Sequence, residues 1–139
     1  MYTVSMTKTR EVKSSKHLAY SCKYHVVWCT KYRRKVLSEP IEIRLKAILL
    51  QICQDHDAEI LEVETMPDHV HVLVECNPTF GIKRLVGLMK GTSSRLLRQE
   101  FPELKSRLPT LWTHSCFIAT VGGAPLAIIK QYIESQKKV

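Results

Sequence analysis

Valines 70, 72 and 74 alternate with His69, His71 and Leu73. That period of two is the signature of a strand, and it puts both imidazoles on the side opposite the valines. Tyr20–Tyr32 reads as an earlier strand, with Tyr24, Val26 and Trp28 on one side and Lys23, His25 and Lys31 on the other. Between them the period changes. Ile41, Leu45, Ile48, Leu49 and Ile52 recur at helical spacing, opened by Ser38-Glu39-Pro40 and ending near His56. Ala58–Met66 is a further strand, joined to His69–Cys76 by a tight Met66-Pro67-Asp68 turn.

The pattern continues with a second helix through Ile82, Leu85, Val86, Met89, Leu96 and Leu97, its middle weakened by Gly87 and Gly91. Pro102 and Pro109 bracket a loop, Leu111–Val121 reads as a fourth strand, and Gly122-Gly123 breaks it. Pro125 opens a last helix, in which Leu126, Ile129 and Ile133 face a core and Tyr132 and Gln136 lie four residues apart. The order is strand, helix, strand, strand, helix, strand, helix. Its first six elements predict an α+β fold, a split β-α-β sandwich of the ferredoxin-like or RNA-recognition type. Helices cover one face of an antiparallel sheet, and the C-terminal helix carries the tyrosine. His69, His71, Lys23 and His25 then share the open face.

The 139 residues make one domain on length alone, expected over residues 18–139 behind a flexible, polar and basic lead-in over 1–17. Against 13 acids there are 21 Lys and Arg, a net charge of +8 that suits a polyanion such as nucleic acid. The five cysteines form no C-x-x-C pair and are odd in number. That disfavours a zinc ribbon or a disulfide framework and points to buried thiols in a reducing cytoplasm. No stretch approaches the roughly 20 apolar residues that span a bilayer, so no membrane partner is expected.

The residues offer two aligned imidazoles, a phenol and an amide. Two imidazoles and an amide oxygen can hold a divalent metal, and a phenol beside them can act as a nucleophile. Taken singly each is a weak signal. Asp68 has a turn role and points away from the His69 side, while His114 reads as structural. Lys23, Lys31, Arg33, Arg34, Lys35, Arg84, Arg95 and Arg98 are candidate phosphate contacts, the three later arginines on the outer side of their helix. Tyr32 is a candidate stacking platform, whereas Trp28 alternates with core residues.

Met66-Pro67-Asp68-His69-Val70-His71-Val72-Leu73-Val74 and Ile129-Lys130-Gln131-Tyr132-Ile133-Glu134-Ser135-Gln136 together resemble the single-tyrosine HUH transposases of bacterial insertion sequences. Tyr24–Trp28, Thr30–Arg33, Thr92–Leu96, Trp112 and Val121-Gly122-Gly123 extend the likeness from about residue 18 to 137. One departure is Cys116, where such proteins often carry an aromatic. The resemblance implies Tyr132 as nucleophile and His69, His71 and Gln136 as ligands to Mg²⁺ or Mn²⁺. It implies single-stranded DNA with hairpin ends as substrate and a 5′-phosphotyrosine intermediate. It also implies a homodimer with active sites built in trans, Gly122 and Gly123 as the hinge of the tyrosine helix, and a place at the nucleoid. A domesticated nuclease acting on genomic palindromes would share these residues. A non-catalytic RNA-recognition-like module would share the fold alone.

Overall fold

The computed structural model describes residues 2–5, 12–15, 17–122 and 126–139. In chain order the elements are β1 (Tyr2–Ser5), β2 (Lys13–Ser15), β3 (Leu18–Tyr20), β4 (Lys23–Cys29), a 3₁₀ turn (Lys31–Arg33), α1 (Glu39–Asp55), β5 (Glu59–Met66) and β6 (His69–Glu75). They continue with α2 (Ile82–Glu100), α3 (Glu103–Arg107), β7 (Phe117–Thr120) and α4 (Leu126–Ser135).

Five strands form one sheet in the order β1-β5-β6-β4-β7, every neighbour antiparallel, and β2 and β3 pair separately. Strands β5-β6-β4-β7 are the expected split β-α-β sheet, with β4 and β6 in its centre. Register puts His71 opposite Glu64 on β5 and opposite Val27 on β4, and Val27 opposite Phe117 on β7. Residues opposite one another share a face. Glu64, His71, Val27 and Phe117 therefore form one row across the sheet.

The core sits on the other face. Val26, Trp28, Val63, Val70, Val72 and Val74 pack there against Leu45 and Leu49 of α1 and Leu85, Met89 and Leu97 of α2. Trp28 is fully buried and meets Trp112 edge to face, ring centroids 5.9 Å apart. Helix α4 lies on the opposite side, over the histidine face, with Ile129 buried beneath it. All five cysteines are free thiols. Cys29, Cys53 and Cys76 are buried, and Cys22 and Cys116 only partly so. Burial pushes the Cys29 thiol up to about 11 and that of Cys53 to about 12.

Several elements differ from the pattern-based reading. Helix α2 runs unbroken through Gly87 and Gly91, because Leu85, Val86, Met89, Ser93 and Leu97 bury along one side and packing outweighs propensity. The fourth strand shrinks to Phe117–Thr120. Its expected first half is taken up by other partners: Thr113 N–H donates to Cys29 O, and the Lys90 ammonium donates to the carbonyls of Thr113 and Ser115. The first strand stops at Cys29, since Tyr32 and Arg33 adopt φ of 57° and 50°, incompatible with a strand. The loop after Pro102 holds the short α3. Within the lead-in, Tyr2–Ser5 adds an edge strand to β5, and Lys13 pairs with Glu59.

A methyl group built on Gly87 meets no atom within 4 Å. Gly87→Ala should therefore raise stability by about 0.5–1 kcal/mol through helix propensity, read as an increase in the urea midpoint at unchanged slope.

Candidate active site

Alternation along β6 sends His69 and His71 to the face that α1 and α2 leave uncovered. They line a cavity of about 420 Å³ together with Glu64 and Met66 of β5 and Ile129 and Ile133 of α4. His69 is fixed by the turn before it. Its Nδ1 lies 2.8 Å from Asp68 Oδ1, which fixes the ring and leaves Nε2 for a ligand. Asp68 is held in turn by Arg33, whose Nη2 stands 3.0 Å from Oδ2, and Arg33 also reaches Glu134 on α4 at 3.4 Å. Burial works to raise the Asp68 carboxyl, but the bonds from His69 and Arg33 outweigh it and hold it below the usual range.

His71 Nε2 lies 3.0 Å from His25 Nδ1 on the neighbouring strand. Burial first, then the adjacent His25, holds the His71 imidazole below its ordinary value, so it is neutral at pH 7 and keeps a lone pair for coordination. Among the described residues no group of three His, Cys, Asp or Glu is placed to hold a metal ion. The two imidazoles suit a divalent cation as nitrogen donors, and a third protein donor must come from elsewhere.

Tyr132, on α4, and Gln136, in the turn just past its end, contact Ser115 rather than lining the histidine cavity with Ile129 and Ile133. The Tyr132 ring stands over Phe117, centroids 5.6 Å apart. Phe117 is two strands from His71 in the same row, a lateral offset of roughly 10 Å at ordinary strand spacing. Tyr132 Oη lies 2.8 Å from Ser115 Oγ, and Ser115 Oγ donates to Gln136 Oε1 at 2.9 Å. The serine has one proton and gives it to Gln136, so the phenol is the donor in the first bond. Burial pushes the Tyr132 phenol up despite the Ser115 bond, and it stays protonated. Within one chain, then, His69 and His71 line one cavity, and Tyr132 and Gln136 meet at Ser115.

The basic candidates separate by location. Arg34 and Lys35 are exposed beyond β4, and Lys31 lies over the Tyr32 ring at 5.0 Å. Lys23 is half-exposed on the histidine side. Arg33 is engaged by Asp68 and Glu134. Arg84, Arg95 and Arg98 ride on α2, behind the sheet from the histidines; Arg84 covers the Phe80 ring at 4.4 Å and Arg98 donates to Pro109 O. Gly122 has φ of +83°, a conformation suited to glycine, and Gly123 lies outside the described residues. Sequence reasoning missed Ser115 and the Asp68 carboxylate. Asp68 points away as a strand residue would, but as a turn residue its side chain curls back to His69.

A split β-α-β sheet with a His-x-His strand on its open face, crossed by a tyrosine-bearing helix, defines a single-tyrosine HUH transposase. The chain belongs to the IS200-like transposase family, whose model matches residues 18–136. It is 39% identical over 128 residues to the ISDra2 transposase TnpA of Deinococcus radiodurans, covering 91% of each chain. It is 34% identical over 126 residues to the transposase of insertion sequence element IS200 from Salmonella typhimurium, covering 89% of this chain and 82% of that one. A transposase crystal structure from Deinococcus radiodurans superposes with a TM-score of 0.81 at 35% identity, over 91% of this chain and 99% of the other. A REP-associated tyrosine transposase, solved bound to a REP hairpin, shares the fold at a TM-score of 0.52 and 12% identity, over 93% and 69%.

The Arg33–Asp68 pair is largely enclosed, with side chains 20% and 10% exposed. Asp68→Asn should cost roughly 1–3 kcal/mol. Because the folded carboxyl lies below its unfolded value, that contribution is complete above the ordinary carboxylate range and is lost as pH falls through the lowered value. Urea unfolding of both proteins at neutral and acid pH checks this: the difference should shrink in acid.

Proposed function

We propose that the chain cleaves and rejoins single-stranded DNA at the ends of an insertion element, recognising subterminal hairpins, through a 5′-phosphotyrosine on Tyr132. One observation carries this reading. Tyr132 sits on a helix that already rests on the histidine face, Gln136 is in the turn at that helix's end, and one hydroxyl holds both of their oxygens. The nucleophile and the third metal donor would thus move as a unit.

In the first transesterification Tyr132 Oη attacks the scissile phosphorus. The Oη–P bond forms as the P–O3′ bond breaks; the phenol gives up one proton and the departing 3′ oxygen takes up one. Attack by a 3′-hydroxyl on the phosphotyrosine reverses the exchange, frees the phenol and seals a new junction. No nucleotide cofactor is needed, because the phosphodiester bond energy is kept in the intermediate. Asp68 orients His69 and keeps its Nε2 outward, while His71 supplies a neutral ring. A divalent cation, Mg²⁺ or Mn²⁺, held by His69, His71 and Gln136 would supply Lewis-acid polarisation of the phosphate.

Phe117, beneath the Tyr132 ring, lies two strands from His71, which supports composite sites in a homodimer, with α4 of one subunit serving the histidines of the other. Gly122 and Gly123 would then be the hinge. Lys23, Lys31, Arg34 and Lys35 fit strand contacts near the histidine face, and the α2 arginines are left to DNA passing behind the sheet. Such a protein acts at the nucleoid, in the cytoplasm of a bacterium or archaeon. Among the described residues no helix is long and apolar enough to cross a membrane.

Incubation with a labelled hairpin end and Mn²⁺ should yield a denaturation-resistant protein–DNA adduct that Tyr132→Phe abolishes. Absence of any adduct across a series of element-end substrates would favour a binding module. For assembly in trans, mixing Tyr132→Phe subunits with His69→Ala subunits should restore cleavage that neither variant has alone. No recovery in mixed dimers would contradict it.

A further inference from the structure

A second cavity, of about 340 Å³, opens on the far side of the loop that holds Tyr132, between α2 and residues 110–116. Its lining includes Lys83, Lys90 and His114 and no carboxylate. The floor is helix backbone at Gly87 and Gly91, where an added methyl group would meet nothing within 4 Å, and Trp112 forms part of the wall. None of these three side chains belongs to the basic run after β4 or to the arginines of α2.

Lys90 connects this cleft to the nucleophile. Its ammonium donates to Thr113 O at 2.7 Å and to Ser115 O at 2.8 Å, and the Ser115 hydroxyl holds Tyr132 and Gln136. Two of its three donors are thus used on neutral carbonyls, for which a charged acceptor in the cleft would compete. It has no salt bridge among the described residues. Burial disfavours its charge, which an anion in the cleft would offset. A phosphate oxygen makes a stronger, charge-assisted bond to an ammonium than a peptide carbonyl does.

We propose that this cleft binds a backbone phosphate of single-stranded DNA, and that its occupation draws Lys90 from the Thr113 and Ser115 carbonyls and loosens the loop that retains Tyr132. Lys83 and His114, both exposed at the rim, are the recruiting groups; Lys90 is the positioning residue. Any ligand that holds Lys90 better once it has left the loop must favour the released phenol to the same degree. This rests on the reading of Tyr132 as nucleophile, and it makes strand engagement the condition for activating it.

The test uses the full chain and a ten-residue oligothymidylate, which carries phosphates but no hairpin and no element end. Two quantities are read: oligomer affinity by fluorescence anisotropy across a salt series, and acetylation of Tyr132 by N-acetylimidazole, located by peptide mass spectrometry. Lys83→Ala/His114→Ala, at two exposed positions, should weaken binding by about tenfold and lower the salt slope by about one unit. In the unaltered chain, saturating oligomer should raise Tyr132 acetylation several-fold. The double variant should not respond at the same oligomer concentration, and Lys90→Met should be acetylated readily without DNA. Unchanged affinity in the double variant, or Tyr132 reactivity indifferent to bound oligomer, would overturn the proposal. Neither readout needs strand cleavage. Loss of the cleft effects with an intact covalent adduct removes this site and leaves the nucleophile standing; the opposite pattern does the reverse.

Discussion

The period-two alternation of β6 is the constraint from which the rest follows. Val70, Val72 and Val74 must be buried, and α1 and α2 bury them. Because successive side chains in a strand point to opposite faces, His69 and His71 have to emerge together on the other side. A slip of one residue in register would drive both imidazoles into the valine core and the valines into the open. The hydrophobic core and the histidine face are two sides of one strand, specified by the same residues.

Helix α4 applies the same logic with a different period. Ile129 and Ile133 seat it over the histidine cavity, while Tyr132 and, just past the helix end, Gln136 meet Ser115. A single helix thereby covers the imidazoles with apolar side chains and keeps the phenol protonated and hydrogen-bonded to Ser115. Gln136 is tied down together with Tyr132, since its carbonyl oxygen accepts from the same serine.

Much of this was legible in the sequence. The β5–β6 hairpin, the extent of α1 and the opposite faces of the histidines and valines follow from periodicity, because each segment buries one side only. His25 beside His71 follows from alternation once β4 and β6 are neighbours. What periodicity could not reach were interactions set by distant chain. The stretch from Leu111 to Cys116 alternates like a strand, but Lys90 and the end of β4 claim its backbone groups. Gly87 and Gly91 weaken a helix in isolation, but burial along the other side carries α2 through both of them. Arg33 reads as a phosphate contact within a basic run, yet two carboxylates far along the chain occupy it. Ser115 carries no local signal, since its role exists only when β7 brings it beneath α4.

The proposed strand transfer requires the β6 imidazoles and the α4 phenol to converge at one phosphodiester. A crystal of the protein with hairpin DNA and Mn²⁺, with data collected at the manganese edge, examines that directly. The expected result is an anomalous peak bound by His69 and His71 of one subunit and Gln136 of an α4 helix, with Tyr132 off Ser115 and facing the scissile phosphate. Manganese bound elsewhere, or Tyr132 still on Ser115 in every subunit with the DNA strand seated on the histidines, would contradict it.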